Sequence, residues 1–170
     1  GLVGSEMCIR DRNRAEGLDW TPYTLRMDSS VYQTDRLVSV SATYSAYTGG
    51  AHPIPWNLGW NFDLETGSFF DVSILAEDGS AFLMEVKEEL IRQANTPREG
   101  GYIPARDYWE NYEDTMASWS SYAVSFDEAG MTVTFSTYEL ASYANGPQVF
   151  ELSYDWLEPH LSQQGLSLIH

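Results

Sequence analysis

The chain has 170 residues, 43% of them hydrophobic and 14% aromatic, and carries a formal net charge of −16. That length fits one domain with a buried core, the apolar share excludes a disordered chain, and so acidic a surface repels nucleic acid and anionic lipid. No apolar run approaches the roughly 18 residues that span a bilayer.

Both ends look foreign. Residues 1–12, Gly1 to Arg12, resemble a translated sequencing-adapter read-through of the kind found in metagenomic gene fragments, and Leu166–His170 resembles its counterpart at the other end. Residues 1–12 and 166–170 are therefore expected to be non-native tails whose removal takes away no core residue. Residues 13–30 are expected to be the remnant of a preceding segment or domain. The single cysteine, Cys8, falls in the first tail. The rest of the chain then has no disulfide framework, thiolate metal site or cysteine nucleophile, and this leaves the compartment open.

Tyr23–Asp28 reads as a short strand. From Val31 to Ala46 the apolar residues Val38, Val40, Ala42, Tyr44 and Ala46 alternate with Ser39, Ser41, Thr43 and Ser45. The same period returns from Trp56 to Leu64, where Trp56, Leu58, Trp60 and Phe62 alternate with Asn57, Gly59, Asn61 and Asp63. Such alternation predicts a long antiparallel pair with one face on the core, which would bury Trp56 and Trp60. A Gly49-Gly50-Ala51-His52-Pro53 corner joins the two strands. Gly67 closes the next turn, and Ser68–Val72 resumes as strand.

Asp78 or Ser80 caps a helix predicted over 81–94, with Leu83, Val86, Leu90 and Ala94 on its apolar face and Glu88 placed to pair with Arg92. The stretch to Trp119 is irregular and mixes Tyr102, Tyr108, Trp109, Tyr112 and Trp119 with Asp107, Glu110, Glu113 and Asp114. Long connections of this kind often carry function. A hairpin follows from Ala123 to Phe135, then a last strand around Phe150–Tyr154 and a short closing helix from Asp155 to Leu161. The order predicts an α+β fold: an antiparallel sheet of about five to six strands, one main helix packed on it, and a short C-terminal helix.

Residues suited to catalysis are few. His52, His160 and His170 are the only histidines, and none stands at metal-ligand spacing from another. No nucleophile elbow or phosphate loop occurs, so neither a metal nor a cofactor is expected. Glu110, Glu113 and Asp114 lack the spacing of a calcium loop and read as a solvated acidic face. His52 is expected to fix the corner by hydrogen bonding, with Glu139 as candidate partner. The acidity either serves solubility or steers a cationic partner toward the chain.

Two motifs resemble a known family. Tyr47-Thr48-Gly49-Gly50-Ala51-His52-Pro53, with Asn61-Phe62-Asp63-Leu64-Glu65-Thr66-Gly67 behind it, is similar to the domain of unknown function that ends RsiV-type anti-sigma factors. That domain also occurs beside polysaccharide-deacetylase domains in bacterial envelope enzymes. Val133 to Pro147, with Tyr138, Glu139, Tyr143 and Gly146, looks like the family's second signature. The resemblance covers residues 31–161. It implies a non-catalytic, extracytoplasmic sensing or binding domain of the bacterial cell envelope, with a basic protein such as lysozyme as possible partner. The alternative it leaves open is a glycan-binding accessory module of a peptidoglycan-modifying enzyme. The stretch containing Tyr102, Tyr108, Trp109, Glu110, Tyr112, Glu113, Asp114 and Trp119 is the candidate partner-binding segment.

Overall fold

The computed structural model describes residues 17, 23–49, 51–118 and 123–170. Gly50, Trp119 and the whole of residues 1–12 therefore lie outside the described residues. The α+β class expected from the sequence is the observed one, but the strands divide into two antiparallel sheets, of four and three strands.

The first sheet has the order β1-β2-β3-β4, with β1 Thr24–Gln33, β2 Leu37–Tyr47, β3 Ile54–Asp63 and β4 Ser68–Phe69. What alternation suggested was one strand from Val31 to Ala46 is the end of β1, a turn, and β2. The turn forms because Thr34 Oγ1 accepts from the backbone N–H groups of Arg36 and Leu37, a local bond that competes with strand pairing. β1 pairs with β2 without a bulge, from Thr24↔Tyr47 to Gln33↔Val38. Residues 24–30 are thus part of this sheet. Ser68–Val72 yields only the two-residue β4, after which Asp71 caps a short 3-10 turn at Val72–Leu75.

The helix predicted over 81–94 is α1, Gly79–Asn95, and Asp78 accepts from the Ala81 N–H at its start. Its buried face is Phe82, Val86, Leu90 and Ala94. Leu83 stands at the margin of that face, one position off the expected stripe. Arg92 pairs with Glu89 rather than Glu88, at 2.6 Å, because Gln93 also donates to Glu89 and holds its carboxylate in place. A short α2, Tyr112–Met116, packs against α1.

The second sheet has the order β5-β6-β7, with β5 Val124–Phe126, β6 Gly130–Phe135 and β7 Gln148–Ser153. This sheet, α1, the Val72–Leu75 turn and the C-terminal helices enclose the core. Among the described residues, Leu37 is the one fully buried side chain that β1–β3 add to that cluster, with Tyr32 at its edge.

The two sheets meet through polar atoms. Asn61 Nδ2 donates to Val124 O at 3.0 Å, and Ser39 Oγ accepts from Phe126 N–H at 2.7 Å while donating to Asn61 Oδ1. These two side chains satisfy backbone groups on the open edge of β5, and both are buried. Gly59 gives the room: a Cβ there would lie 2.1 Å from Val124 O.

The polar face of the first sheet is therefore the inward one. Its apolar face, with Leu25, Met27, Val31, Val40, Trp60 and Phe62 in register, points outward. Trp56 is exposed and Trp60 half-buried, which corrects the expectation that both lie in the core. Alternation gave the two faces correctly; the demand of the β5 edge for hydrogen-bonding partners decides which turns inward.

The chain closes with α3 Tyr154–Leu157, a 3-10 turn at Glu158–His160 and α4 Gln163–Ile169. Ser162 Oγ caps α4 through the Gly165 N–H and donates to Leu75 O at 3.0 Å. Leu168 and Ile169 are buried in the core cluster, and Ser167 Oγ accepts from Arg36. The expectation that removing 166–170 takes away no core residue is therefore corrected. Among the described residues no helix is long and apolar enough to cross a membrane.

Candidate functional site: an aromatic corner

The β2–β3 connection and the segment after β6 come together although some ninety residues of sequence separate them. The His52 ring stacks on Tyr143, centroids 3.7 Å apart and planes at 22°, and lies 6.5 Å from the ring of Tyr138. Tyr138 and Tyr143 are 5.8 Å apart. The corner that carries His52 turns at Gly49, whose φ of +98° suits a residue without a side chain. His52 Nδ1 is 3.1 Å from Pro53 O. Its expected partner Glu139 is engaged elsewhere: its carboxylate accepts from the Ser136 N–H, while its own N–H donates to Ser136 O. Partial burial raises the Glu139 carboxyl above its ordinary value, and the Ser136 N–H partly offsets this.

Tyr138 is the one non-glycine residue with positive φ among the described residues, at +76°. Such a conformation costs a side-chain-bearing residue about 1–2 kcal/mol. Bonds on both flanks hold it. Before it, Ser136 Oγ accepts from the Asn57 N–H at 2.8 Å, which ties the turn to the free edge of β3. Around it, Trp109 Nε1 donates to Tyr138 O at 3.3 Å and the Trp109 N–H donates to Leu140 O at 2.8 Å. Tyr108 bridges to Ala141 just beyond. The strain is thus over-determined by its surroundings, and it displays the Tyr138 ring to solvent.

Further bonds lock the same neighbourhood. Asp107 accepts from Tyr102 OH at 2.9 Å and from Asn145 Nδ2 at 3.4 Å. Its hydrogen bond raises the Tyr102 phenol above the ordinary value. Gly146 turns the chain with φ +67°, its N–H donating to Tyr143 O. The outcome is a surface on which Trp109, Tyr138, Tyr143 and Tyr102 remain exposed while their backbones are fixed.

The other residues singled out from the sequence have different places. Tyr108 is half-buried, its OH donating to Gln148 Oε1 at 2.8 Å, and burial pushes its pKa up to about 12. Tyr112 packs edge-on against Tyr108 and bonds Asn95 and Glu113. Both are supports rather than displayed contacts. Glu110, Glu113 and Asp114 are exposed on and beside α2. His160 stacks on Trp156 and reaches Glu85 at 2.6 Å, away from the corner. No group of three or more His, Cys, Asp or Glu among the described residues is placed to hold a metal ion. Sequence reasoning missed the strain at Tyr138 and the bridging role of Asp107. A tyrosine carries no local sign of positive φ, and an aspartate in an acidic stretch has nothing to mark it out.

Comparison with known proteins agrees with this architecture. The model of a family described as a protein of unknown function, DUF3298, matches residues 74–155. No curated protein matches the chain. A crystal structure of a DUF3298-family member from Bacteroides fragilis NCTC 9343 superposes with a TM-score of 0.66 at 21% identity, covering 94% of this chain and 62% of that one. A DUF3298-family protein from Pseudomonas aeruginosa PAO1 gives 0.63 at 17% identity, covering 92% of this chain and 69% of that one. This chain thus spans less than two thirds of the Bacteroides protein. It has the fold of these solved DUF3298 proteins, and residues 74–155, from the Val72–Leu75 turn into α3, carry the DUF3298 match.

Proposed function

We propose that the aromatic corner is the binding surface of a non-catalytic sensing domain, of RsiV type, on the extracytoplasmic side of a bacterial cell envelope. Its partner is a basic protein such as a lysozyme. The observation that carries this reading is the rigid display of Trp109, Tyr138 and Tyr143 beside His52, built at the cost of a strained tyrosine backbone. Exposed aromatics on a fixed backbone lose little entropy when a partner covers them, and they are frequent binding anchors. Around them the net charge of −16 and the exposed Glu110, Glu113 and Asp114 steer a cation inward over distances that salt screens beyond about 8 Å.

The division of labour gives the test. In surface-capture kinetics with a lysozyme, Trp109→Ala and Tyr138→Ala should speed dissociation. Neutralising Glu110, Glu113 and Asp114 together should slow association, as should raising salt to physiological strength. Absence of binding, or binding indifferent to both salt and the triple change, refutes the proposal. The exposed faces of Trp109 and Tyr138 also suit stacking on sugar rings. Affinity for peptidoglycan fragments without affinity for any basic protein would assign the corner to a glycan module instead.

A further inference from the structure

The outward face of the first sheet is the largest feature that the corner leaves unexplained. Leu25, Met27, Val31, Ile54, Trp56 and Phe69 are each between 44% and 69% exposed. The register places the first five on one face of β1–β3, and Phe69 joins them opposite Phe62. Half-buried Tyr44, Leu58 and Trp60 fill the space between. Scaling roughly 150–250 Å² for each large side chain by these exposures gives about 500–800 Å² of contiguous apolar surface. A soluble monomer rarely exposes a patch beyond about 300–600 Å².

The face is also free of charge. The register puts Arg26, Asp28 and Asp63, the charged residues of these strands, on the opposite face. A chain of net charge −16 has therefore kept its carboxylates off this one surface. A basic partner finds no carboxylate on it to pair with, and an anionic lipid is repelled by the chain as a whole. What fits an uncharged, flat, ribbed surface is another such surface, packed at the spacing of about 10 Å that stacked sheets adopt.

We propose that this face is the dimer interface for a second copy of the chain. The area is of the right order: with the half-buried Tyr44, Leu58 and Trp60 added, its upper end meets the roughly 800 Å² that a stable interface takes from each partner. A two-fold axis through the face makes the patch self-complementary and closes the assembly at two. Trp56 and Met27 serve as anchors. Because the apposed chains are both strongly acidic, salt strengthens this association by screening their repulsion, the reverse of its effect on a cationic partner at the aromatic corner.

Sedimentation equilibrium over about 1–100 μM tests this, since a dimer must dissociate on dilution. The expected result is a monomer–dimer equilibrium that shifts toward dimer with salt. It should be abolished by Met27→Lys with Trp56→Lys and unaffected by Ser30→Lys with Thr43→Lys, which adds the same charge on the opposite face. Met27 and Trp56 are exposed, so an unchanged circular dichroism spectrum is expected and confirms that the variant is folded. A wild-type chain that stays monomeric throughout overturns the proposal, and binding of that monomer to phosphatidylcholine vesicles would give the face to lipid. A dimer that survives the double substitution overturns it in favour of pairing along the β1 edge. Open-ended association rather than a dimer overturns it too.

Discussion

Replacing Gly59 by alanine tests how the two sheets are joined. The added Cβ would sit 2.1 Å from Val124 O and 2.7 Å from Val124 N, both backbone atoms that no rotamer change can move. Ordinary contact begins near 3.4 Å, so β3 and β5 must separate by more than 1 Å. That displacement stretches Asn61 Nδ2–Val124 O from 3.0 Å and Ser39 Oγ–Phe126 N from 2.7 Å. Overpacking costs about 1–3 kcal/mol, and each buried polar group left without a partner about 1–3 more. We expect a loss of about 3–5 kcal/mol, a large part of the roughly 5–15 kcal/mol that holds a domain together. Urea unfolding followed by tryptophan fluorescence measures it. Gly59→Ala and Asn61→Ala act on one contact, so the double variant should cost clearly less than the sum. A loss below about 0.5 kcal/mol, or strict additivity, would refute this account of the junction.

Four further outcomes follow from the same structure. Deleting residues 166–170 removes buried Leu168 and Ile169 and should lower stability by more than the ~2–5 kcal/mol of one large-to-small core change, read from the urea midpoint. His52→Ala should cost only about 0.5–1.5 kcal/mol, the value of an aromatic stack, because the ring is half-buried against Tyr143 rather than bonded to a buried carboxylate. Tyr138→Gly should raise the melting temperature by relieving φ +76° while weakening capture of a basic protein; a fall in melting temperature would mean that ring contacts outweigh the strain. Glu139→Gln should stabilise the domain near pH 7. The raised carboxyl of Glu139 binds its proton more tightly folded than unfolded, so stability falls as pH climbs above the ordinary value of 4.5. Below that value parent and variant should converge.

Much of the local structure was legible because it rests on local causes. Asp78 before an apolar stripe at three- and four-residue spacing marks α1, and strict alternation marks β2, β3 and β6. The Thr34 turn was not legible, since a hydroxyl that redirects two amide groups looks like any other polar position in an alternating strand. The inward face of the first sheet was not legible either. Period two defines two faces, and which one turns inward depended on Ser39, Gly59 and Asn61 meeting a strand some sixty to ninety residues downstream. At the site, the two motifs holding His52 and Tyr143 were both visible. Their contact, and the strain at Tyr138 between them, are products of tertiary constraint.

The lopsided core has a dynamic consequence. Since β1–β3 place almost nothing but Leu37 in the central cluster, the ribbon is held by its own ladder and by a few mostly polar ties: two side chains at the β5 edge, the Asn57–Ser136 and Arg36–Ser167 bonds, and the His52–Tyr143 stack. Local opening needs least free energy where fewest apolar contacts are broken. Amide protons should therefore exchange in tiers: β1 first, β2 and β3 next, and α1 with β6 only on global unfolding. The aromatic corner spans the tiers, with His52 on the ribbon and Tyr138 and Tyr143 on the slow-exchanging body. A partner that grips both sides would slow exchange along β2 and β3 well beyond the residues it touches.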